Sequence, residues 1–357
     1  MPAPEVVAGA CIGRLGLFGN AVFQYTALKL AAELHGARFL LPPWPAGSVF
    51  AETASDAVLE PELEASLPLV ADRPVLSHAG WRAWAATREP LASAGAVLSG
   101  VAVRRLLPQV NAELLLPTSR LPCAAAAYWG WFQFSTSAFA LHKRRFTQLL
   151  APRTEVEPLL QAVIDTAGHG QPLHGIHLRC GEGFTALEDD SPVAAPAECW
   201  SPPDGLLHNS LAASTTGAWR DEGVFWSAPE GWYCEDLQRR PEQPVLLFTD
   251  GKAPLTALRA LGARTPAEAA PHQYAALVAG LGGGELAATQ ADWLLMTRCG
   301  SLAISNSTFS FSASMLASAR APGCDFDAMM RPCPLARMLV PFDPWDSQPT
   351  LKKPPSA

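Results

Sequence analysis

The chain opens with a short apolar run, Val6 to Ile12, which gives way to glycines at three-residue spacing in Gly13-Arg14-Leu15-Gly16-Leu17-Phe18-Gly19-Asn20. That pattern predicts a strand running into a glycine-rich turn. From Ala21 to His35 the apolar positions Phe23, Ala27, Leu30, Ala31 and Leu34 recur at about 3.6 residues, predicting a helix capped by Asn20 and stopped by Gly36. Arg38-Phe39-Leu40-Leu41 then reads as a strand closed by Pro42-Pro43.

This β–loop–α–β opening predicts a Rossmann-like layer. Between Phe50 and Pro122, short apolar runs and frequent prolines place helices and loops only loosely. Tyr128 to Phe139 is aromatic-rich, and His142-Lys143-Arg144-Arg145-Phe146 reads as helical up to Pro152. A second unit is predicted from about residue 165, its first strand running from His174 to Arg179. The alternation resumes later: strand Val245 to Thr249, helices Ala253 to Leu261 and Ala291 to Arg298, strand Leu302 to Ser305, helix Ser310 to Ala319. From Glu182 to Pro244 no period holds, and prolines, tryptophans and acidic residues cluster, which predicts an insertion or long surface loop. The expected division is therefore 1–164, 165–340 with an insertion at 182–244, and a Pro-rich tail, 341–357, crossing the surface.

Composition narrows the function classes. The 357 residues suit two domains of ~150 residues, and 49% apolar with 17% charged residues predicts a folded globular chain. A net charge of −7, with no basic stripe, argues against nucleic acid as a partner. Eight cysteines include no Cys-x-x-Cys pair, so no zinc or redox motif is expected. There is no apolar run long enough to span a membrane, and Met1 to Ala10 lack the basic start of a leader. The chain as given reads as soluble.

Four segments carry candidate chemistry. In Gly175-Ile176-His177-Leu178-Arg179, alternation puts His177 and Arg179 on one face at a strand's carboxyl end, where open α/β sheets bind ligands. The fork of Arg179 suits a diphosphate, or equally a structural ion pair. In Leu302-Ala303-Ile304-Ser305-Asn306-Ser307-Thr308-Phe309, a buried-type strand ends in hydroxyl and amide side chains that open a helix. That is an anion site, or ordinary capping. Asp250, at the end of the Val245 strand, and Asp292, expected to start its helix, could accept hydrogen bonds from a base or ribose, or act as caps.

Together these segments resemble the GDP-fucose-dependent fucosyltransferases. The opening glycine motif with Gly19-Asn20 and Phe23-Gln24-Tyr25, and Gly130-Trp131-Phe132-Gln133 with Phe139, are similar to segments of the α-1,2-fucosyltransferases; Pro43-Trp44 resembles the protein O-fucosyltransferases. His177-Leu178-Arg179-Cys180-Gly181-Glu182 is similar to the His-x-Arg-Arg-Gly-Asp signature, and Asn306-Ser307-Thr308-Phe309-Ser310 to the Asn-Ser-Ser/Thr-Phe-Ser motif. The resemblance implies a GT-B fold, two Rossmann-like domains facing across a cleft. It implies inverting, metal-independent transfer of fucose from GDP-fucose to a glycan hydroxyl, with no cofactor. The eukaryotic members imply a Golgi or ER lumen, whereas the chain as given allows the cytoplasm.

By the same resemblance, His177, Arg179, Asp250, Asp292, Asn306, Ser307, Thr308 and Phe309 would bind the donor. Arg179 and Glu182 would be catalytic, and Arg14, Gly19 and Asn20 would line the acceptor side. The chain departs from the pattern at Cys180, at Glu182, and at Phe311-Ser312-Ala313-Ser314, where tryptophans are usual. Two rivals follow: a metal-dependent transferase using Asp325-Phe326-Asp327, and a catalytically silent nucleotide-sugar or glycan-binding protein of the same fold.

Overall fold

The structure is a computed structural model and describes residues 5–14, 16–71, 125–133, 135–179, 185–186, 226–250, 255–320, 328–333 and 336–351. The described residues form two units, one reaching to Ser48 and resuming over Glu52–Leu149, the other holding Val49–Ala51 and the chain from Leu150.

The first unit contains β1 (Val6–Ala8), α1 (Phe18–Leu34), β2 (Arg38–Leu41), β3 (Ala57–Val58), α2 (Pro61–Ser66), β4 (Leu69–Ala71), β5 (Ala125–Trp129) and α3 (Lys143–Leu149). Its sheet runs β3-β2-β1-β5-β4, all parallel, with Val7 opposite both Phe39 and Ala126. α1 is buried on nearly every side, which is why its apolar residues do not form a narrow stripe. It starts earlier than expected: Leu17 is the cap residue, and Asn20 sits within the first turn. Gly36 does end the helix in the left-handed region, at φ 64°.

The opening glycines serve close packing as well as the turn. Gly13 has φ 72°, and a Cβ there would lie 2.7 Å from the Trp44 ring. Gly16 has φ 80°, and a Cβ would lie 2.1 Å from Asn20 Nδ2 and 2.6 Å from Trp131. Only glycine meets both demands.

The second unit contains α4 (Glu157–Gly168), β6 (His174–Leu178), the short parallel pair β7 (Thr185–Ala186) and β8 (Trp226–Ser227), and α5 (Glu230–Gln238). It continues through β9 (Val245–Thr249), α6 (Thr256–Ala260), α7 (Pro266–Ala269), α8 (Pro271–Gly280), α9 (Gly284–Met296), β10 (Ser301–Ala303), α10 (Thr308–Arg320), β11 (Met329–Cys333) and β12 (Met338–Pro341). The main sheet runs β12-β11-β10-β6-β9, parallel except that β12 returns antiparallel along the edge. Leu302 faces Gly175 on one side and Met329 on the other.

β6 is fixed from behind. A Cβ at Gly175 would lie 2.5 Å from Leu302 Cδ2 and 2.9 Å from Cys299 Sγ, so the strands approach only over a glycine. Fully buried His174 sets Nδ1 2.8 Å from Ser301 Oγ and Nε2 3.1 Å from Asp236 Oδ2, joining β6 to β10 and α5. Burial lowers the proton affinity of His174 more than Asp236 raises it.

Three sequence expectations are corrected. The units divide between Leu149 and Leu150 rather than at 164, because α4 packs on α8, where Gly280 leaves room for Leu159. The stretch 182–244 is not wholly an insertion: α5 buries Trp232, Tyr233 and Leu237 in one cluster with Ile176, Leu247 and Ala303. Those few apolar residues lie among Glu230, Glu235 and Asp236, which dilutes the periodic signal. The C-terminal tail is core as well, with Phe342, Trp345 and Leu351 buried, and the prolines of β11 and β12 are tolerated toward the sheet edge.

Candidate active site

β6 lies between β9 and β10, so its carboxyl end is flanked by the ends of both neighbours. His177 and Arg179 stand there. His177 is buried, with Nδ1 2.7 Å from Ser305 Oγ and its ring 5.5 Å from the Phe309 ring. Arg179 reaches both ways: Nε is 3.1 Å from Asp250 Oδ2 beyond β9, and Nη1 donates to Ser307 Oγ at 3.2 Å in the turn beyond β10. Ser307 Oγ also accepts the Phe309 N–H at 3.3 Å. The Ser227 hydroxyl donates to the Arg179 carbonyl, which holds the strand end from below.

The turn between β10 and α10 leads directly into a helix of 13 residues, Thr308–Arg320. Its first-turn amides and the positive end of its dipole face the chain entering from β10. Ser307 and Thr308 are buried at that entry. With a guanidinium bonded to Ser307, the arrangement is suited to an oxyanion rather than to a cation. Tyr233 OH, donating to the Ile304 carbonyl at 3.2 Å, steadies the turn from α5.

Electrostatics sharpen the roles. Burial first, and the positive charge of Arg179 second, push His177 down to about 3, so its imidazole is neutral at neutral pH. It can hydrogen-bond but brings no charge. Burial also lowers Arg179, against the opposing pull of Asp250. Arginine nevertheless keeps its proton in proteins, so the site carries one fixed positive charge at this strand end.

The remaining sequence candidates make other contacts. α9 begins at Gly284, so Asp292 lies inside it rather than at its start, accepting a 2.8 Å hydrogen bond from Tyr274 OH. Burial raises its carboxyl to about 7, with the Tyr274 bond pulling the other way. The side-chain amide of Asn306 grips the main chain of Leu351: Nδ2 donates to the carbonyl and Oδ1 accepts the N–H, each at 2.7 Å. Cys180, Gly181 and Glu182 lie outside the described residues, as do Asp325-Phe326-Asp327.

Arg14, Gly19 and Asn20 belong to the first unit. Arg14 Nη1 pairs with Glu64 Oε1 at 2.6 Å, and Gly19 is buried in α1. Asn20 Oδ1 accepts from Gln133 Nε2 at 2.7 Å, while Gln24 Nε2 donates to the Gly130 carbonyl at 3.1 Å. Two motifs separated by more than a hundred positions in the sequence are thus bonded to each other.

Ser305, Ser227, Tyr233 and Leu351 were not among the sequence candidates. Ser305 had a signal, its place in the motif beside Asn306; the other three support the site through contacts that only the fold creates. Among the described residues there is no group of three or more His, Cys, Asp or Glu placed to hold a metal ion. No described helix is long and apolar enough to cross a membrane.

No protein-family model and no curated protein sequence matches the chain. Among solved structures it is similar to NodZ α-1,6-fucosyltransferase soaked with GDP-fucose, at 12% identity and TM-score 0.46, over 88% of this chain and 92% of that one. A structure of fucosyltransferase NodZ from Bradyrhizobium gives the same identity and TM-score. POFUT1 in complex with GDP-fucose is similar at 11% identity and TM-score 0.43, over 91% of this chain and 96% of that one.

Proposed function

We propose that the chain is a glycosyltransferase that moves L-fucose from GDP-fucose to a hydroxyl of a glycan acceptor, with inversion and without a metal. The acceptor of this reading is galactose and the linkage α-1,2, following the motifs of the first unit. The observation that carries it is the Arg179–Ser307 hydrogen bond, which joins the two halves of a diphosphate-type signature across 128 positions at neighbouring strand ends. The His-x-Arg segment and the Ser-Thr-Phe segment are far apart in sequence, and they meet.

Chemically, fucosyl transfer builds negative charge on the leaving β-phosphate and positive charge on the sugar ring. Donors held in place before the reaction stabilise the first of these, because nothing has to reorganise as charge develops. Arg179 supplies a fixed charge and a planar fork, and the start of α10 supplies the positive end of its dipole. Neutral His177 supplies a hydrogen-bonding ring tilted against that of Phe309. Asp292 is assigned to guanine, whose N1–H and amino group need an acceptor. Glu182 and Asp250 are the carboxylates available by type to receive the acceptor's proton.

The reading is tested by measuring nucleoside diphosphate release from a panel of nucleotide sugars, with and without EDTA. GDP-fucose should be the fastest donor and EDTA should leave its rate unchanged. Faster release from a UDP-sugar, or loss of activity with EDTA, would overturn the donor or the metal-independent assignment respectively.

A further inference from the structure

In the turn that would cradle the phosphates, Ser305 and Ser307 bond to the β6 end, whereas the Asn306 side chain is directed to the C-terminal segment. Asn306 is buried, as is Leu351, and the two are joined by paired hydrogen bonds of 2.7 Å, one in each direction. This is the pairing a neighbouring strand would make, supplied by a side-chain amide. Only a group carrying both a donor and an acceptor at that reach can make it; aspartate lacks the donor and alanine lacks both.

Leu351 is the last of a series of anchors among the described residues. Trp345 Nε1 donates to the Met315 carbonyl at 3.1 Å and to Ser318 Oγ at 3.0 Å, fixing the segment on α10. Arg331 lies over the rings of Phe311 and Phe342 and donates from Nη1 to the Gln348 carbonyl at 2.9 Å. The C-terminal segment is therefore strapped along α10 and β11, and its end closes on the turn where α10 begins.

We propose that Asn306 is a positioning residue, and that residues 342–351 act as a strap whose Leu351 peptide holds the Ser305–Thr308 turn in its anion-binding conformation. The inference rests on the donor-site reading above. It removes Asn306 from direct donor contact and gives the C-terminal segment a part in binding the diphosphate. Tyr233 holds the Ile304 carbonyl, and Ser305 and Ser307 are bonded to His177 and Arg179; the strap adds a hold on the residue between those two serines.

The experiment compares GDP and GMP affinity by calorimetry in the parent chain and three variants. Asn306→Ala removes both latch bonds. Leu351→Pro removes the N–H that Asn306 Oδ1 accepts. Leu339→Ala removes packing from the cluster that Leu351 shares, without touching the latch. Two neutral hydrogen bonds correspond to a loss of about tenfold in GDP affinity. GMP affinity should fall far less, because the strap acts on the phosphate cradle.

The expected result is that Asn306→Ala and Leu351→Pro both erode the preference for GDP over GMP, whereas Leu339→Ala lowers the melting temperature and leaves that preference intact. An unchanged GDP-over-GMP ratio in Asn306→Ala and Leu351→Pro would overturn the inference, as would an equal erosion in Leu339→Ala. Should Asn306→Ala fail to fold, Leu351→Pro decides alone, since it removes a single N–H. A parent that binds neither nucleotide would instead refute the donor-site reading, so the two failures are distinguishable.

Discussion

Asp250 Oδ2 lies 3.1 Å from Arg179 Nε, on the side of the guanidinium away from Ser307, so one carboxylate orients the fork while its side chain stays 41% exposed. An incoming diphosphate would meet both the fork and this negative charge. Asp250→Asn keeps an acceptor near Nε and removes the repulsion, so GDP binding should hold or tighten by up to about fivefold, in line with a partly exposed ion pair. Asp250→Ala removes the acceptor too, and should weaken binding. Equal weakening by both variants in calorimetry would show that the charge, not the orientation, is what matters.

The buried histidine of the site makes stability depend on pH in a known direction. His177 is held at about 3 in the folded protein against a usual 6.5, so below pH 6.5 the unfolded chain takes up a proton that the folded chain refuses. This contribution is full above pH 6.5 and is lost as pH falls toward 3. Urea midpoints measured from pH 7 to 5 should fall less steeply for His177→Asn than for the parent. Parallel curves would mean that the imidazole is not protected as described.

Asp292 has the opposite sign. Its folded carboxyl is raised to about 7 from a usual 3.8, so the folded chain binds the proton more tightly and stability is lost as pH rises between those values. Asp292→Asn should therefore gain stability on the parent at pH 8 and not at pH 4. The same variant should lose its preference for GDP over IDP, which lacks the guanine amino group. A stability difference independent of pH would contradict the buried-carboxylate account, and an intact GDP preference would remove Asp292 from the guanine site.

Much of this was legible along the chain. Arg38–Leu41 and Val245–Thr249 are strands as read, because short β-branched or aromatic runs between prolines and turns have few alternatives. That His177, Arg179 and the Ser307–Phe309 segment share one site was implied by the family resemblance, while each segment by itself read equally as an ion pair or a helix cap. Less legible were elements whose apolar residues are few or whose neighbours are charged. Trp232, Tyr233 and Leu237 on α5 are core, yet Glu230, Glu235 and Asp236 hide their spacing. β11 and β12 contain Pro332 and Pro341, which read as breakers until the edge position of β12 is known. The Asn306–Leu351 latch spans 45 positions and has no local signature at all.

Arg179 is where the functional account is most exposed to refutation. Its fork is planar, it already bonds Ser307, and its charge should count most as the leaving phosphate gains its own. The direct measurement is the turnover of GDP-fucose transfer by Arg179→Ala and Arg179→Lys, in protein shown by circular dichroism to be folded. Loss of one such preorganised donor predicts a fall in kcat of about 10²–10³ for Arg179→Ala. Arg179→Lys keeps the charge without the fork and should remain clearly impaired. Transfer by folded Arg179→Ala within about threefold of the parent, far short of the loss expected for a donor at the developing charge, would contradict the assignment of this strand end as the donor site.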